Sequence, residues 1–361
     1  MHDPFEDLTL DTLFRPFAEG MLSWPAQGAL LLRARDGAAL RQHATPDLVC
    51  EQSFKPDADA LTRTGYSVYS LDEVSRKQGY PLVLILPPRQ RDEARASLAR
   101  AVSLTQPGGR VIAAISNNEG ARSGEADLEK LVGKVSTLSK HKCRVFWSEP
   151  LHDQVNHDLL QHWLTLDAAR PISDARFVSR PGVFAWDRVD PASALLAQHL
   201  PKELAGRAAD LGAGFGYLSV ELLTRCSGIS ALDVYEAEAR ALALARQNLA
   251  RHIIPIKFHW HDVTTGLPGA YDVIITNPPF HTQSRADRPD IGQRFIRAAA
   301  ESLNPGGQLW LVANRHLPYE EVLSSSFGAT RIVAQQQGFK IVHATKAASA
   351  VISKPERKAR R

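Results

Sequence analysis

Residues 207–216 read Arg-Ala-Ala-Asp-Leu-Gly-Ala-Gly-Phe-Gly, and the order of elements around them decides the fold. Small apolar residues run into Asp210, glycines alternate at Gly212, Gly214 and Gly216, and an apolar-periodic stretch continues over 217–223. That sequence predicts a strand, a tight turn and a helix. Glycine lets a backbone turn sharply and approach a ligand with no Cβ in the way. Working outward, 229–234 predicts a strand, 237–250 a helix and 255–259 a strand. Tyr271–Thr276 predicts another strand, stopped at Asn277-Pro278-Pro279 because proline cannot continue a central strand. A helix is expected over 291–303, ending at Asn304-Pro305-Gly306-Gly307, and a further strand over 308–313. Strands alternating with helices require crossover connections, so the fold is α/β, with a parallel sheet covered by helices on both faces.

The first half of the chain repeats this order. PGGRVIAAISN at 107–117 lines up with PGGQLWLVAN at 305–314, and each follows an amphipathic helix, over 92–104 and 291–303. Upstream of each helix lies an apolar strand that ends in two prolines, LVLILPP at 82–88 and DVIITNPP at 272–279. An internal duplication is therefore expected. The copies differ where chemistry would sit. The first has ARDGAALR, with a single glycine, after its early strand, and Leu86 precedes its double proline where the second has Asn277. The first copy keeps the apolar skeleton and lacks the polar residues, which predicts a folded but catalytically silent domain. The expected division is 1–150 for the degenerate copy, a linker over 151–180, the second domain over 181–348 and a basic tail over 349–361.

Composition sets the class. The chain has 361 residues, 44% hydrophobic and 23% charged, which is ordinary globular usage. Lysine and arginine total 43 against 39 acids, a net charge of +4 that permits a nucleic-acid partner without demanding one. No apolar run approaches the roughly 18 residues of a membrane span. The three cysteines are far apart and form no CxxC, which argues against a disulfide framework and for a reducing cytoplasm. His152, His157 and His162 are spaced by five, off one helical face, so no metal site is expected.

The glycine loop has acidic company. Asp210 directly before it would repel a pyrophosphate but suits a cationic ligand, and S-adenosylmethionine carries an ammonium and a sulfonium. The spacing is neither GxGxxG nor a P-loop. Asp233, expected at the end of the next strand, would grip a ribose hydroxyl pair. Asp262, after the third strand, would recognise an adenine amino group.

Asn277-Pro278-Pro279-Phe280 follows the fourth strand of this unit, at the strand ends where ligands bind in such sheets. An exocyclic amine delocalises its lone pair into its ring and is a weak nucleophile. The Asn277 side-chain oxygen and a carbonyl from Pro278 would each accept one of its N–H bonds, turning the lone pair toward a methyl donor. Proline locks φ and fixes the carbonyl direction. Phe280 offers a flat face for a base to stack on. Positioning and electrostatics then carry the effect, with no strong general base.

With DLGAGFG at 210–216, Asp233 and NPPFH at 277–281, the chain resembles the class I, Rossmann-like S-adenosylmethionine-dependent methyltransferases of the N-type. More narrowly, its whole length resembles the bacterial ribosomal RNA guanine-N2 methyltransferases, the small-subunit methyltransferase C family and its large-subunit sister, the methyltransferase G family. PGVF at 181–184, VANRHLPY at 312–319, FGATRIVAQQQGFKI at 327–341 and NNEGARSGE at 117–125 carry the likeness. Ala213 stands where the family often has Cys, and Ala185-Trp186 where Ser-Arg is more usual. The resemblance implies two tandem class I methyltransferase domains with only the C-terminal copy active, and S-adenosylmethionine as cofactor. It implies a guanine of 16S ribosomal RNA as methyl acceptor, with 23S ribosomal RNA as the alternative because VANRHL leans toward the large-subunit family. Adenine in DNA, a protein glutamine, or a vestigial RNA-binding protein without catalysis are the rival readings.

A guanine in structured RNA must swing out to reach such a pocket. Pro279, Phe280, His281 and Arg285 are expected to meet it. The basic run of Lys130, Lys134, Lys140, Lys142 and Arg144 and the tail are expected to meet RNA phosphates. A monomer is expected, since the duplication supplies within one chain the pair of folds that other methyltransferases obtain by dimerising.

Overall fold

A computed structural model of the protein describes residues 7–43, 47–76, 79–279 and 289–348. It divides into two compact units, Met1–Arg188 with Ala237–Leu244, and Val189–Glu236 with Ala245–Arg361.

In chain order the first unit carries α1 (Leu8–Ala18), β1 (Ala29–Leu32), α2 (Ala38–His43), β2 (Leu48–Glu51), α3 (Lys55–Arg63), β3 (Val68–Tyr69), α4 (Leu71–Ser75), β4 (Tyr80–Ile85) and α5 (Arg91–Leu104). Then come β5 (Thr105–Ser116), α6 (Ala121–Val132), β6 (Val135–Lys140), β7 (Cys143–Ser148), α7 (His157–Leu164), β8 (Arg170–Ile172) and β9 (Phe177–Ser179). Seven strands form one sheet in the order β3-β2-β1-β4-β5-β7-β6. Its central strands β1, β4 and β7 are buried on both faces, which is why they read as continuous apolar runs. Leu30, Val83, Ile85, Val111 and Phe146 pack one core. The alternating Leu31, Leu82, Leu84, Ile112 and Val145 pack the other.

The segment 151–180, expected as a linker, belongs to this unit. Leu160 and Trp163 of α7 are buried in its core, and the Arg95 guanidinium lies 5.0 Å from the Trp163 ring centroid. Asp167, 3% exposed, pairs with Arg100 of α5 and with Arg180. Two large anchors three residues apart hold a short helix without the long apolar period that a sequence reading looks for.

The second unit carries α8 (Pro191–His199), β10 (Ala205–Leu211), α9 (Tyr217–Arg225), β11 (Gly228–Glu236), the end of α10 (Ala239–Leu249, of which the residues up to Leu244 count with the first unit), β12 (Ile256–Trp260), β13 (Tyr271–Thr276), α11 (Pro289–Ser302), β14 (Leu303–Asn314), α12 (Glu320–Ser326), β15 (Ala329–Gln336) and β16 (Phe339–Thr345). Its sheet runs β12-β11-β10-β13-β14-β16-β15, the same order as the first. β10 to β14 are parallel, with β16 and β15 antiparallel at one edge. The strand order reverses between β10 and β13, which opens a crevice beyond their carboxyl ends.

Both sheets share one irregularity. The β4–β5 register shifts between Tyr80 and Leu82, and the β13–β14 register between Tyr271 and Val273. Aligned there, Leu86 takes the position of Asn277. Leu30 pairs Val83 as Ala209 pairs Ile274, so Leu31 takes that of Asp210. Leu32 pairs Glu51 as Leu211 pairs Tyr235, which places Gln52 at the position of Glu236. Shared topology, shared irregularity and this position-by-position match are what a duplication leaves.

Candidate active site

β10 delivers Asp210 into the interior with no exposed surface. Ser219 of α9 donates to its Oδ2 at 2.7 Å. Its Oδ1 is buried and makes no hydrogen bond among the described residues. Burial pushes this carboxyl up to about 7, against the Ser219 hydrogen bond and with a smaller push from the charge of Glu236. A buried carboxylate oxygen without a donor is costly, and a cationic ligand would supply the missing partner.

The glycine loop is stitched to the end of β11. The Tyr235 carbonyl accepts N–H bonds from Gly212 at 2.9 Å and Ala213 at 3.1 Å. The Gly214 N–H donates to Glu236 Oε2 at 2.8 Å. Gly214 has φ +58, and a Cβ there would meet nothing within 4 Å, so the loop faces open space at this residue. Gly216 has φ +90 and caps α9 from outside the helix.

The acid at the end of β11 is Glu236, not Asp233. Asp233 lies three residues inside the strand, 3% exposed, facing its neighbours in the sheet. Arg207 donates to its Oδ2, and the Tyr271 hydroxyl does so at 2.7 Å. Burial raises its carboxyl, but the bonds from Tyr271 and Arg207 outweigh that and hold it below the ordinary range. His259 stacks on Tyr235 with ring centroids 4.4 Å apart and reaches 3.6 Å from Asp233 Oδ1. Asp233 is therefore held inside the sheet by its ion pair and hydrogen bonds, and Glu236 is the acid that stands at the strand end. Asp262 stands two residues beyond β12 at the same sheet edge. Its Oδ1 caps a single turn, accepting from Thr264 N at 2.9 Å and Thr264 Oγ1 at 2.7 Å. His261 N donates to the Glu236 carbonyl at 3.0 Å, which ties that turn to β11.

Asn277 follows β13 on the other side of the crevice. Its Nδ2 donates to Asp190 Oδ2 at 3.0 Å and to Ser193 Oγ at 2.9 Å. Asp190 caps α8, whose first residue is Pro191, and its Oδ2 also accepts the Ser193 N–H at 2.9 Å. Pro278 is buried and Pro279 exposed. Phe280, His281 and Arg285, expected at the acceptor side, lie outside the described residues. Sequence reasoning passed over Asp190 and Ser193. The Asp-Pro-x-Ser start of α8 was a visible helix-start signal, but its bonds to Asn277 are tertiary.

The basic run meets partners in part. Arg144 pairs with Glu125, and Lys130 Nζ lies 3.5 Å from Asp127. Lys134, Lys140 and Lys142 are exposed. The tail lies outside the described residues.

Residues that could hold a cationic nucleoside thus converge from three strand ends and the glycine loop: Asp210, Gly214, Glu236 and Asp262. Asn277 faces them across the strand-order reversal.

The methyltransferase small domain family matches residues 174–343. The ribosomal RNA small subunit methyltransferase C of Serratia proteamaculans is 30% identical over 258 residues, covering 72% of this chain and 72% of the relative. The protein of that name from Sodalis glossinidius is 32% identical over 257 residues, covering 71% of each. That from Escherichia coli O9:H4 is 31% identical over 257 residues, covering 71% of this chain and 73% of the relative. The fold is also that of a 16S rRNA N2 methyltransferase from T. thermophilus, solved with AdoMet and guanosine, with TM-score 0.77, 24% identity and coverage of 95% and 92%. At these identities and coverages, and with the glycine loop and Asn-Pro-Pro where the fold puts its crevice, this chain belongs to the ribosomal RNA small subunit methyltransferase C family.

Proposed function

We propose that this chain transfers the methyl group of S-adenosylmethionine to the exocyclic N2 amine of a guanine in 16S ribosomal RNA of the small subunit. The observation that carries the reading is the meeting, at one crevice, of a buried acid whose Oδ1 has no donor among the described residues and an Asn-Pro-Pro turn. The cofactor supplies an electrophilic methyl on a sulfonium. Asp210 neutralises its ammonium, Gly214 lets the backbone lie against it, Glu236 takes the ribose hydroxyls and Asp262 the adenine amine. Asn277 Oδ1 and the Pro278 carbonyl accept the two amine N–H bonds of the guanine. Phe280 stacks on the flipped base, and His281, Arg285 and Pro279 border it.

The second unit does this chemistry. The first, with Leu31, Gln52 and Leu86 at the matching positions, is a silent copy that supports folding and presents RNA. The exposed Lys134, Lys140 and Lys142 suit phosphate contact. With such a substrate the enzyme works in the cytoplasm, and the duplication, which supplies two copies of the fold within one chain, supports a monomer. The wording of residues 312–319 favours a second reading, the same chemistry on 23S ribosomal RNA.

Offering the protein separate 30S and 50S subunits with methyl-labelled cofactor tests both. Label in guanine of the 30S particle is expected. Label in the 50S particle alone favours the second reading, and absence of cofactor binding ends the enzyme reading altogether. Asn277→Ala should lose most transfer while still binding cofactor.

A further inference from the structure

Both N–H bonds of the Asn277 amide are already spent inside the protein, one on Asp190 Oδ2 and one on Ser193 Oγ. A carboxylate has no proton to offer, so the amide nitrogen must face Asp190, and this fixes which way the side chain lies. Asp190 is itself pinned. The same Oδ2 accepts the N–H of Ser193, on the first turn of α8, and Pro191 sets the helix start. Ser193 is 8% exposed. The holder of Asn277 is therefore a capped helix end rather than a loop, and rigid elements keep a site in register.

We propose that Asp190 and Ser193 are positioning residues that make Asn277 a pure hydrogen-bond acceptor, and so select an N–H donor as the methyl acceptor. The inference rests on the methyl-transfer reading above and goes beyond it. An amide free to turn could present either its NH₂ or its oxygen, and would serve a carbonyl as readily as an amine. Held by two bonds, it presents Oδ1 alone. The charge on Asp190 also bears on the reaction. The amine lone pair forms the new N–C bond, the C–S bond breaks with its electron pair going to sulfur, and one N–H proton leaves to water. Positive charge on the amine nitrogen rises before that proton departs. A carboxylate hydrogen-bonded behind the amide polarises it and strengthens Oδ1 as an acceptor at that stage.

Asp190→Asn keeps a good helix cap and removes the charge. It is expected to lower kcat about tenfold, with the KM for RNA and the cofactor Kd within about twofold. Ser193→Ala should lower kcat by several-fold, and Ser193→Thr should restore it. The decisive measurement is the cycle with Asn277→Ala under single-turnover conditions. If Asp190 acts through Asn277, Asp190→Asn costs nothing further in the Asn277→Ala background. Independent, multiplying losses overturn the proposal. Amide hydrogen exchange at the Asn277 side chain reads the orientation without any substrate. Slowly exchanging Nδ2 protons that become fast in Asp190→Ala are expected, and fast exchange in the unaltered protein overturns the proposal. If the unaltered protein binds cofactor but labels no guanine, the functional reading fails by itself, and the exchange result still decides the orientation.

Discussion

Thr276 Oγ1 donates to the carbonyl of Leu211 at 2.8 Å, and both residues are fully buried. The two stand opposite each other in the β10–β13 pairing. One residue follows Asp210 and the other precedes Asn277, so this hydrogen bond, added to the β10–β13 pairing, ties the acid of the glycine loop to the asparagine of the Asn-Pro-Pro turn. Thr276→Val keeps the shape and removes the donor. It should lower unfolding free energy by about 1–2 kcal/mol, read by denaturant titration. It should also cut methyl transfer more than cofactor affinity, because it loosens the two halves of the site relative to each other.

Asp210 makes the site pH-dependent. Its carboxyl, pushed up from the ordinary 3.8 to about 7, keeps its proton in the folded chain over a range where the unfolded chain has lost it. Stability should therefore fall as pH rises from about 4 to about 7 and then level off. Cofactor affinity should run the other way, because the cation needs the ionised form. Calorimetric titration should find binding about tenfold weaker at pH 6 than at pH 8, with proton release on the acid side. Asp210→Asn should flatten both profiles and weaken binding throughout.

Glu236 and Asp233 separate binding from stability. Glu236→Ala removes the acid at the strand end and the acceptor of the Gly214 N–H. The cofactor Kd should rise about tenfold or more, a loss on the scale of a charge-assisted hydrogen bond. Asp233→Asn weakens the contacts to Arg207 and Tyr271 inside the sheet. It should cost about 1–3 kcal/mol of stability and leave the Kd within about twofold. The reverse pattern would return the ribose role to Asp233.

The glycines of the loop should respond differently to a methyl group. At Gly216, φ is +90 and a Cβ would lie 3.2 Å from the Ala245 backbone, so Gly216→Ala should destabilise the fold itself. At Gly214 the added Cβ meets no atom of the protein. Gly214→Ala should cost about 1 kcal/mol of stability from its left-handed φ and lose much more in cofactor affinity, because the methyl occupies space left for the ligand. Melting curves with and without cofactor distinguish the two.

The elements of the second unit were legible because each is punctuated by its own chemistry. Tyr271–Thr276 begins and ends where its short β-branched run and the following prolines put it. β14 starts earlier than expected, at Leu303, since the Pro-Gly-Gly reads as a turn while pairing with β13 continues across the register shift. Asp233 was misplaced for a similar reason. β11 extends through Glu236 because Glu236 pairs with Trp260 of β12, and a strand's end is set by its neighbour, which no local pattern reports. Asp190 and Ser193 were hidden by distance along the chain. Their capping role is local and readable, but what they hold comes from another strand.

Leu31 and Leu86 in the first unit, 0% and 5% exposed, also bear on its history. Restoring an acid at Leu31 alone would strand a carboxyl among apolar neighbours. Restoring asparagine at Leu86 alone would bury an amide there. Arg33, where the second unit has Gly212, holds φ 55, pairs with Glu93 and is built into its present contacts. Each reversion taken singly weakens the fold and returns no binding, because the ligand needs all of them together. The retirement of this copy is an evolutionary ratchet. Selection can reshape its surface, but a second cofactor site cannot re-emerge there one substitution at a time.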